Sequence, residues 1–254
     1  MISAPKKVTD RYVKNVGRFQ KVLIHAESRD VSEADTVTII TDILSDVFGF
    51  DKYAEITGEQ AIRGTFCDLA VKIKDKTYFL IEVKAIGIEL KEAHMRQALN
   101  YGANHGVEWV ILTNGIIWEI YHIRFEQPIN YDLVCRFNFV ELNPRKNEDQ
   151  NKLFLLSKEG IDKSAIETFH KHVKSVNKHV ISAIIRSDTV LGVIRRELRK
   201  INPGLKVSLE EIKEITKGEV ITRDAMEGEI AGKPQPRLKN ASSKPSRAVS
   251  KEKK

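Results

Sequence analysis

Three charged residues, Asp68, Glu82 and Lys84, lie within two largely apolar segments of the chain. Two carboxylates that face one another across neighbouring strands repel unless a cation neutralises them. Mg²⁺ prefers oxygen ligands and commonly takes one or two protein carboxylates together with water and phosphate oxygens. Lys84 projects on the same side of its strand as Glu82 and could neutralise the pair or hold an attacking water. These residue types point to metal-assisted hydrolysis, and an ordinary charged strand surface is the alternative for so short a pattern.

A hairpin between the two segments would bring the carboxylates together. We predict strands over residues 66–73 and 77–85, joined by a three-residue loop, and this register makes Asp68 face Glu82. It also gathers the apolar side chains on one face and places Lys84 with the carboxylates on the other. A two-residue turn would mix the two sets of side chains, so the apolar pattern itself favours clustered carboxylates.

A third carboxylate, Glu33, is expected to approach from a helix. Ser32 is a favourable N-cap, and the helix that it starts is predicted to end at Gly49. The apolar stripe of this helix consists of Val37, Ile40, Leu44 and Val47. Because Glu33 precedes Val37 by four residues, we expect it on the core-facing side, where a carboxylate is costly unless it has a partner.

Two polar residues share one face of the next predicted helix, over residues 89–104. Gln97 and Tyr101 are four residues apart, a spacing that places side chains on the same side of a helix. Leu90 lies two turns earlier on that face and indicates packing against the sheet. We therefore expect Gln97 and Tyr101 to face the sheet.

The pattern of elements predicts an α/β (α+β) chain with a mixed sheet flanked by helices. The predicted strands cover residues 53–56, 66–73, 77–85, 108–113, 116–123 and 131–142. Asn114-Gly115, between the fourth and fifth of these strands, is a strong hairpin signal. A helix over residues 11–29 is predicted to precede the whole arrangement.

In this order, the residues resemble the PD-(D/E)xK nuclease superfamily, in its branch with a Gln-xxx-Tyr motif. They resemble in particular the nuclease domain at the N-terminus of type I restriction endonuclease R subunits. The matching positions are Glu33, Asp68, Glu82-Val83-Lys84, Gln97, Tyr101 and Thr113-Asn114-Gly115. The resemblance covers about residues 31–123 and implies a restriction-endonuclease-like fold. Cys67 stands where the family commonly has proline, which leaves the neighbouring carboxylate in place.

The resemblance implies which residues bind metal. Asp68 and Glu82, with the carbonyl of Val83, would hold one or two Mg²⁺ ions, for which Mn²⁺ would substitute. Glu33 would complete the coordination directly or through water. Such an ion lowers the pKa of bound water and stabilises the charge that develops on the phosphate.

The resemblance also implies roles for the remaining residues. Lys84 would orient or help to deprotonate the nucleophile, and Gln97 would belong to the catalytic set. Gln97 and Tyr101 would position the site and the DNA phosphate backbone.

The leading hypothesis is therefore a Mg²⁺-dependent DNA nuclease, in restriction-like host defence or in DNA repair. The alternative is a non-cleaving nucleic-acid-binding or assembly module built on the same scaffold. The sequence contains no Gly-xxxx-Gly-Lys-[Ser/Thr] phosphate loop. We therefore expect that the chain acts alone or with a separate motor or specificity subunit.

Sequence character divides the chain into an N-terminal helix at residues 1–30, a nuclease-like core at 31–143 and a helical region at 144–229. An apolar seam in the helical region steps by three and four residues through Ile166, Phe169, Val173, Val176, Val180 and Ala183. Such a seam predicts helix packing. The packing would occur within the chain or, through the helices at 164–201, in a homodimer.

Residues 230–254 are predicted to be a disordered basic tail, because they offer almost nothing to bury. From Lys233 onward, eight basic residues and one acid carry the whole net charge of +7, so the rest of the chain is neutral. A flexible tail of this kind would gather DNA through its phosphates. A tail that only improves solubility is the alternative.

Composition excludes several other classes of protein. Two cysteines are too few for a disulfide framework, and the apolar runs are far shorter than the roughly 20 residues of a membrane helix. We therefore expect a cytoplasmic protein with reduced thiols and no membrane partner. No zinc site is predicted among His170, His172 and His179, which lack the closed ligand set of a structural zinc ion.

Overall fold

The structure, a computed structural model, describes residues 3–62 and 65–226, with the side chains of 59–66 and 101 excepted. The described residues form two compact units, which divide between Lys174 and Ser175. None of the helices in the described part of the chain is long and apolar enough to cross a bilayer. The predicted tail at 230–254 lies outside the described residues and stays a prediction.

A mixed sheet of six strands lies in the first unit and confirms the predicted fold class. Its strands lie side by side in chain order: β1 (Ile56–Ile62), β2 (Thr65–Ile73), β3 (Lys76–Val83), β4 (Trp109–Thr113), β5 (Ile117–Arg124) and β6 (Asn130–Asn138). Neighbouring strands are antiparallel except β3 and β4, which are parallel.

Helices cover both faces of the sheet. On one face, α1 (Lys6–Ser28) and α2 (Glu33–Asp46) contribute to the larger hydrophobic core. On the other face, α3 (Glu92–His105) packs over a smaller core and supplies the crossover that the parallel β3–β4 pair requires. Because successive strand residues point to opposite faces, Leu80 joins the smaller core and Ile81 the larger one.

The β2–β3 hairpin has a two-residue turn, so the predicted three-residue loop is wrong. Ile73 pairs with Lys76, and the turn residues Lys74 and Asp75 have φ values of 49° and 64°. Positive φ at both central positions matches the right-handed twist of the flanking strands. The prediction rested on the apolar pattern alone, and the structure satisfies that pattern with a shorter turn and an irregularity in the strand pairing.

A β-bulge between residues 71 and 72 restores the predicted register nearer the carboxylates. A bulge inserts one extra residue on one strand and so shifts the pairing by one position. Beyond it, Leu69 pairs with Ile81 in the predicted register, and Asp68 and Glu82 are the next residues of their strands. A shorter turn and a bulge together therefore replace the longer loop.

Two further strand boundaries differ from the prediction. The predicted strand at 53–56 is wrong, because Asp51 accepts hydrogen bonds from the backbone two and three residues onward and closes a turn. The first strand accordingly begins at Ile56. The last strand ends at Asn138 because its side chain caps the short 3₁₀ helix Phe139–Glu141.

The remaining regular elements of the described chain are helices. They are α4 (Asn147–Leu155), α5 (Lys158–Asp162), α6 (Ala165–Ser175), α7 (Lys178–Ile185), α8 (Asp188–Ile201), α9 (Leu209–Ile215), the π-helix Thr216–Val220 and α10 (Arg223–Met226). The predicted seam from Ile166 to Ala183 does not lie on one helix, because Asn177 caps α7 and interrupts it. The homodimer through 164–201 and the predicted domain boundaries stay predictions.

Candidate active site

Glu82, near the end of β3, is a buried carboxylate with 1% of its side chain exposed. Its Oε1 accepts a 2.7 Å hydrogen bond from Lys84 Nζ, whereas Oε2 is buried without a hydrogen-bond partner among the described residues. Burial raises the pKa of Glu82; Lys84 opposes this rise, while Asp68 and Glu33 add to it. A buried polar atom without a partner is rare in folded proteins and calls for a functional explanation.

Asp68 contacts the same strand end from β2. Its Oδ2 accepts a 2.6 Å hydrogen bond from the backbone N–H of Val83. Leu69 pairs with Ile81, and Asp68 and Glu82 are the residues next to this pair on their two strands. The hairpin thus brings Asp68, Glu82 and Val83 together.

Lys84 is the cation among these acids. Its Nζ lies 2.7 Å from Glu82 Oε1 and 3.7 Å from Glu33 Oε2, and its side chain is 15% exposed. Burial alone would lower the pKa of Lys84, but the hydrogen bond and charge of Glu82, with Glu33 and Asp68, raise it. Lys84 is therefore protonated at neutral pH. Its backbone N–H donates to the carbonyl of Thr113 at 2.9 Å, which ties this residue to the end of β4.

Glu33 is the first residue of α2 and reaches Lys84 from the N-terminus of that helix. Ser32 caps the helix, as the sequence predicts. The expectation that Glu33 lies on the core-facing side is wrong, because its side chain is 49% exposed. Burial in α2 begins at Thr36, and Val37 is only partly buried, so the core-facing stripe is rotated away from Glu33.

Gln97 and Tyr101 lie on α3, within the predicted element. The buried residues of this helix include Ala98 and Leu99, whereas Gln97 is exposed, so the expectation that Gln97 faces the sheet is wrong. The smaller or more apolar residues turn toward the sheet instead. The side chain of Tyr101 lies outside the described residues. The functional roles of both residues stay predictions.

Asn114 has a structural role that the sequence pattern did not reveal. Its Nδ2 donates to the carbonyls of Ile86 and Ile88, and its Oδ1 accepts from the backbone of Ile116 and Ile117. The buried amide therefore ties the segment after β3 to the β4–β5 turn. An Asn-Gly pair signals a turn, but it does not reveal which second segment the amide will hold.

Cys67 stands next to Asp68 and is buried. Its Sγ lies 3.1 Å from the carbonyl oxygen of Ile81 and donates a hydrogen bond to it. Burial raises the pKa of this thiol to about 12, and the charge of Glu82 contributes to the rise. The thiol is therefore neutral at physiological pH and does not act as a nucleophile.

Three carboxylates and one ammonium meet at this end of the sheet. We refer to Glu33, Asp68, Glu82 and Lys84 as the carboxylate cluster. Its charge is negative in sum, and its ligand atoms are oxygens, which suits a hard divalent cation such as Mg²⁺ or Mn²⁺. The neighbouring ammonium can bind a phosphate oxygen or a water molecule.

Comparison with known proteins gives a family match over part of the chain. Residues 43–133 match the model described as type I restriction enzyme R protein N terminus. The matched segment contains Asp68, Glu82 and Lys84 but begins after Glu33. No curated protein and no solved structure matches the chain. Residues 43–133 are thus similar to the N-terminal region of type I restriction enzyme R proteins.

Proposed function

We propose that this protein is a Mg²⁺-dependent DNA nuclease that hydrolyses phosphodiester bonds. The observation that carries the proposal is the buried Oε2 of Glu82, which has no hydrogen-bond partner among the described residues although other acids lie nearby. A purely structural ion pair would satisfy both oxygens, whereas a metal-binding carboxylate keeps one for the ion. The match of residues 43–133 to restriction enzymes supports the same conclusion.

The residues of the carboxylate cluster fit a divalent cation. Asp68 and Glu82, with the carbonyl of Val83, would hold Mg²⁺, and Mn²⁺ would substitute for it. Glu33 would complete the coordination, because its half-exposed side chain can turn toward an ion at little cost. When bound, the ion supplies Lewis-acid stabilisation of the charge on the phosphate.

Lys84 would act as a hydrogen-bond donor. The hydrogen bond and charge of Glu82, with Glu33 and Asp68, raise the pKa of Lys84 and keep Nζ protonated, so it can hold a phosphate oxygen or orient the attacking water. Asp68 fixes the strand end that carries Lys84 by accepting the N–H of Val83. Gln97 and Tyr101 would position the DNA backbone from α3.

The restriction-enzyme match supports DNA as the substrate and host defence as the setting, with DNA repair as a second setting for the same chemistry. A separate motor or specificity subunit, or a second copy of the chain, would complete the assembly.

The test is cleavage of linear, circular, single-stranded and branched DNA, with and without Mg²⁺ or Mn²⁺. Wild type is compared with Glu82→Gln and with the matched control Glu92→Gln, an exposed residue paired with Arg96. We expect metal-dependent cleavage by wild type and by the control, and none by Glu82→Gln. Equal cleavage by Glu82→Gln would contradict the proposal. DNA binding by wild type without cleavage of any substrate would favour the non-cleaving module.

A further inference from the structure

A group of possible metal ligands lies near the other end of β4 from the carboxylate cluster. It consists of His122 on β5, Asp132 on β6 and His170 on α6, and we call it the histidine cluster. Within the part of the chain that the structure describes, the ligand atoms of these three residues lie within 4.8 Å of one another. His122 pairs with Trp109, the first residue of β4, whereas the carboxylate cluster adjoins Thr113, its last residue.

The two imidazoles pack against each other with polar atoms enclosed. Their ring centroids are 4.4 Å apart, and the ring of Trp109 lies 4.7 Å from His122 and 5.7 Å from His170. Only 8% of His170 is exposed, and His122 Nδ1 is buried without a hydrogen-bond partner among the described residues. A buried ring nitrogen without a partner is unfavourable unless something binds it.

Asp132 supplies the oxygen ligand. Its Oδ2 lies 3.4 Å from His170 Nε2 and 2.8 Å from Lys174 Nζ, and its Oδ1 lies 3.5 Å from Arg124. The side chain of Lys174 is half exposed, so its ammonium can return to water when another cation takes Oδ2. Asp132 can therefore exchange one cation for another without a change in the backbone.

The local charge allows an added cation. The charged groups that act on the two imidazoles are Glu108, Asp132, Arg124 and Lys174. The two carboxylates balance the two cations when both histidines are neutral, and Glu126 contacts Arg124 from an exposed position. Burial lowers the pKa of His122 and of His170, which favours the neutral imidazole that binds metals.

We propose that the histidine cluster binds a divalent first-row transition-metal ion. Two imidazoles and one carboxylate suit Zn²⁺, Co²⁺ or Ni²⁺ better than Mg²⁺ or Ca²⁺. Three protein ligands leave a fourth tetrahedral position for water. The ion would join the β5–β6 hairpin to α6, so we expect it to stabilise the first unit. This proposal does not depend on the proposed nuclease activity.

The experiment measures Co²⁺ and Zn²⁺ binding to the full chain in the absence of DNA, by visible absorption and by calorimetry. Co²⁺ in a tetrahedral site with imidazole ligands absorbs strongly, whereas Co²⁺ held by carboxylates and water alone is pale. We expect one strongly absorbing Co²⁺ per chain, displaced by Zn²⁺ but not by excess Mg²⁺, and a raised Tm. Absence of this absorption in the wild-type protein would overturn the proposal.

Variants assign the site to particular residues. His122→Gln and His170→Gln should each weaken Co²⁺ binding by at least about 10- to 100-fold. His25→Gln, at an exposed histidine of α1, is a control that should bind Co²⁺ as wild type does. Undiminished affinity in both cluster variants would also overturn the proposal. If a variant does not fold, the wild-type spectrum still decides, because strong absorption reports a tetrahedral site, which exposed carboxylates and water alone would not give.

Discussion

The carboxylate cluster and the histidine cluster differ in the balance of acid and base around a partly or fully buried carboxylate. Burial raises the pKa of Glu82, because the single ammonium of Lys84 does not offset burial and two further acids. Burial also acts on Asp132, but Lys174 and Arg124 outweigh it and lower the pKa of that carboxyl. The negative charge is therefore poorly compensated at one cluster and well compensated at the other.

This difference indicates what each cluster lacks. The carboxylate cluster lacks positive charge and offers oxygen atoms, so a hard cation would relieve it. The histidine cluster lacks a partner for Nδ1 of His122 among the described residues and offers a mixed donor set, so a softer cation fits better. If the two clusters are independent, a substitution in the carboxylate cluster should leave the Co²⁺ absorption of the histidine cluster unaltered.

The largest expected effect is on cleavage. Glu82→Ala should lower the single-turnover rate by roughly a thousandfold or more, because loss of a metal-holding carboxylate removes several kcal/mol of transition-state stabilisation. Co²⁺ absorption at the histidine cluster should not change. A cleavage rate within about tenfold of wild type would exclude Glu82 from the reaction.

The next effect concerns Asn114, whose amide makes hydrogen bonds beside the carboxylate cluster. Asn114→Ala should lower the free energy of unfolding by about 2–3 kcal/mol, because buried carbonyls lose their donor, and it should also slow cleavage. Asn138→Ala is the matched control, since that side chain also bonds to backbone but away from the cluster. Urea unfolding measures both variants. Equal loss of cleavage in the two would show that Asn114 acts only through general stability.

Removing the charge of Asp132 and removing the charge of Glu82 should change the free energy of unfolding in opposite directions. At pH 7, Asp132→Asn should lower the free energy of unfolding by about 1–3 kcal/mol, because the cations around Asp132 lose a charged partner. Glu82→Gln should leave this free energy unchanged or raise it by up to about 1 kcal/mol, since it removes a poorly compensated buried charge.

The pH dependence of these differences follows from the shifts in pKa. A lowered pKa means that charged Asp132 adds stability above its unfolded-state pKa, and this stability is lost as the pH falls. The raised pKa of Glu82 has the reverse effect, with stability lost as the pH rises through the folded-state value. The effect of Glu82→Gln should thus vanish below about pH 4, and that of Asp132→Asn only in stronger acid. Urea unfolding of both variants from acid to neutral pH, without divalent ions, measures these changes. If both substitutions changed the free energy of unfolding in the same direction at pH 7, the inferred difference between the two clusters would be wrong.

The smallest effect is expected for removal of residues 233–254, which belong to neither cluster. Their basic side chains carry the net charge of +7, so their deletion should weaken DNA binding at low salt and flatten its salt dependence. Turnover of bound DNA and Co²⁺ binding should both stay as in the full chain. Binding measured across a salt series decides, and identical slopes would mean that the tail touches no phosphate.

Most of the carboxylate cluster could be predicted, because Asp68, Glu82 and Lys84 lie in or next to one hairpin. The alternation of apolar residues requires Leu69 to pair with Ile81, and this register determines where Asp68 and Glu82 lie. The pattern does not determine how the chain achieves that register, so the short turn and the bulge were missed. The exposure of Glu33 was also missed, because helical spacing alone leaves the rotation of a helix uncertain by about a residue.

The histidine cluster could not be predicted, because it depends on contacts between distant segments. His122 and Asp132 meet through the β5–β6 pairing, and His170 joins them only when α6 packs on the sheet. The break before α7 was missed for a different reason. The seam satisfied helical spacing, but the capping hydrogen bonds of Asn177 compete locally with a continuous helix.

The turn at Lys74 and Asp75 and the bulge beside it have a practical consequence for protein engineering. Because the bulge absorbs the offset of one residue, the pairing near Asp68 is insulated from the length of the turn. One residue inserted into the turn would be accommodated by loss of the bulge. The tip of this hairpin is therefore a suitable attachment point for a fluorophore or an affinity tag.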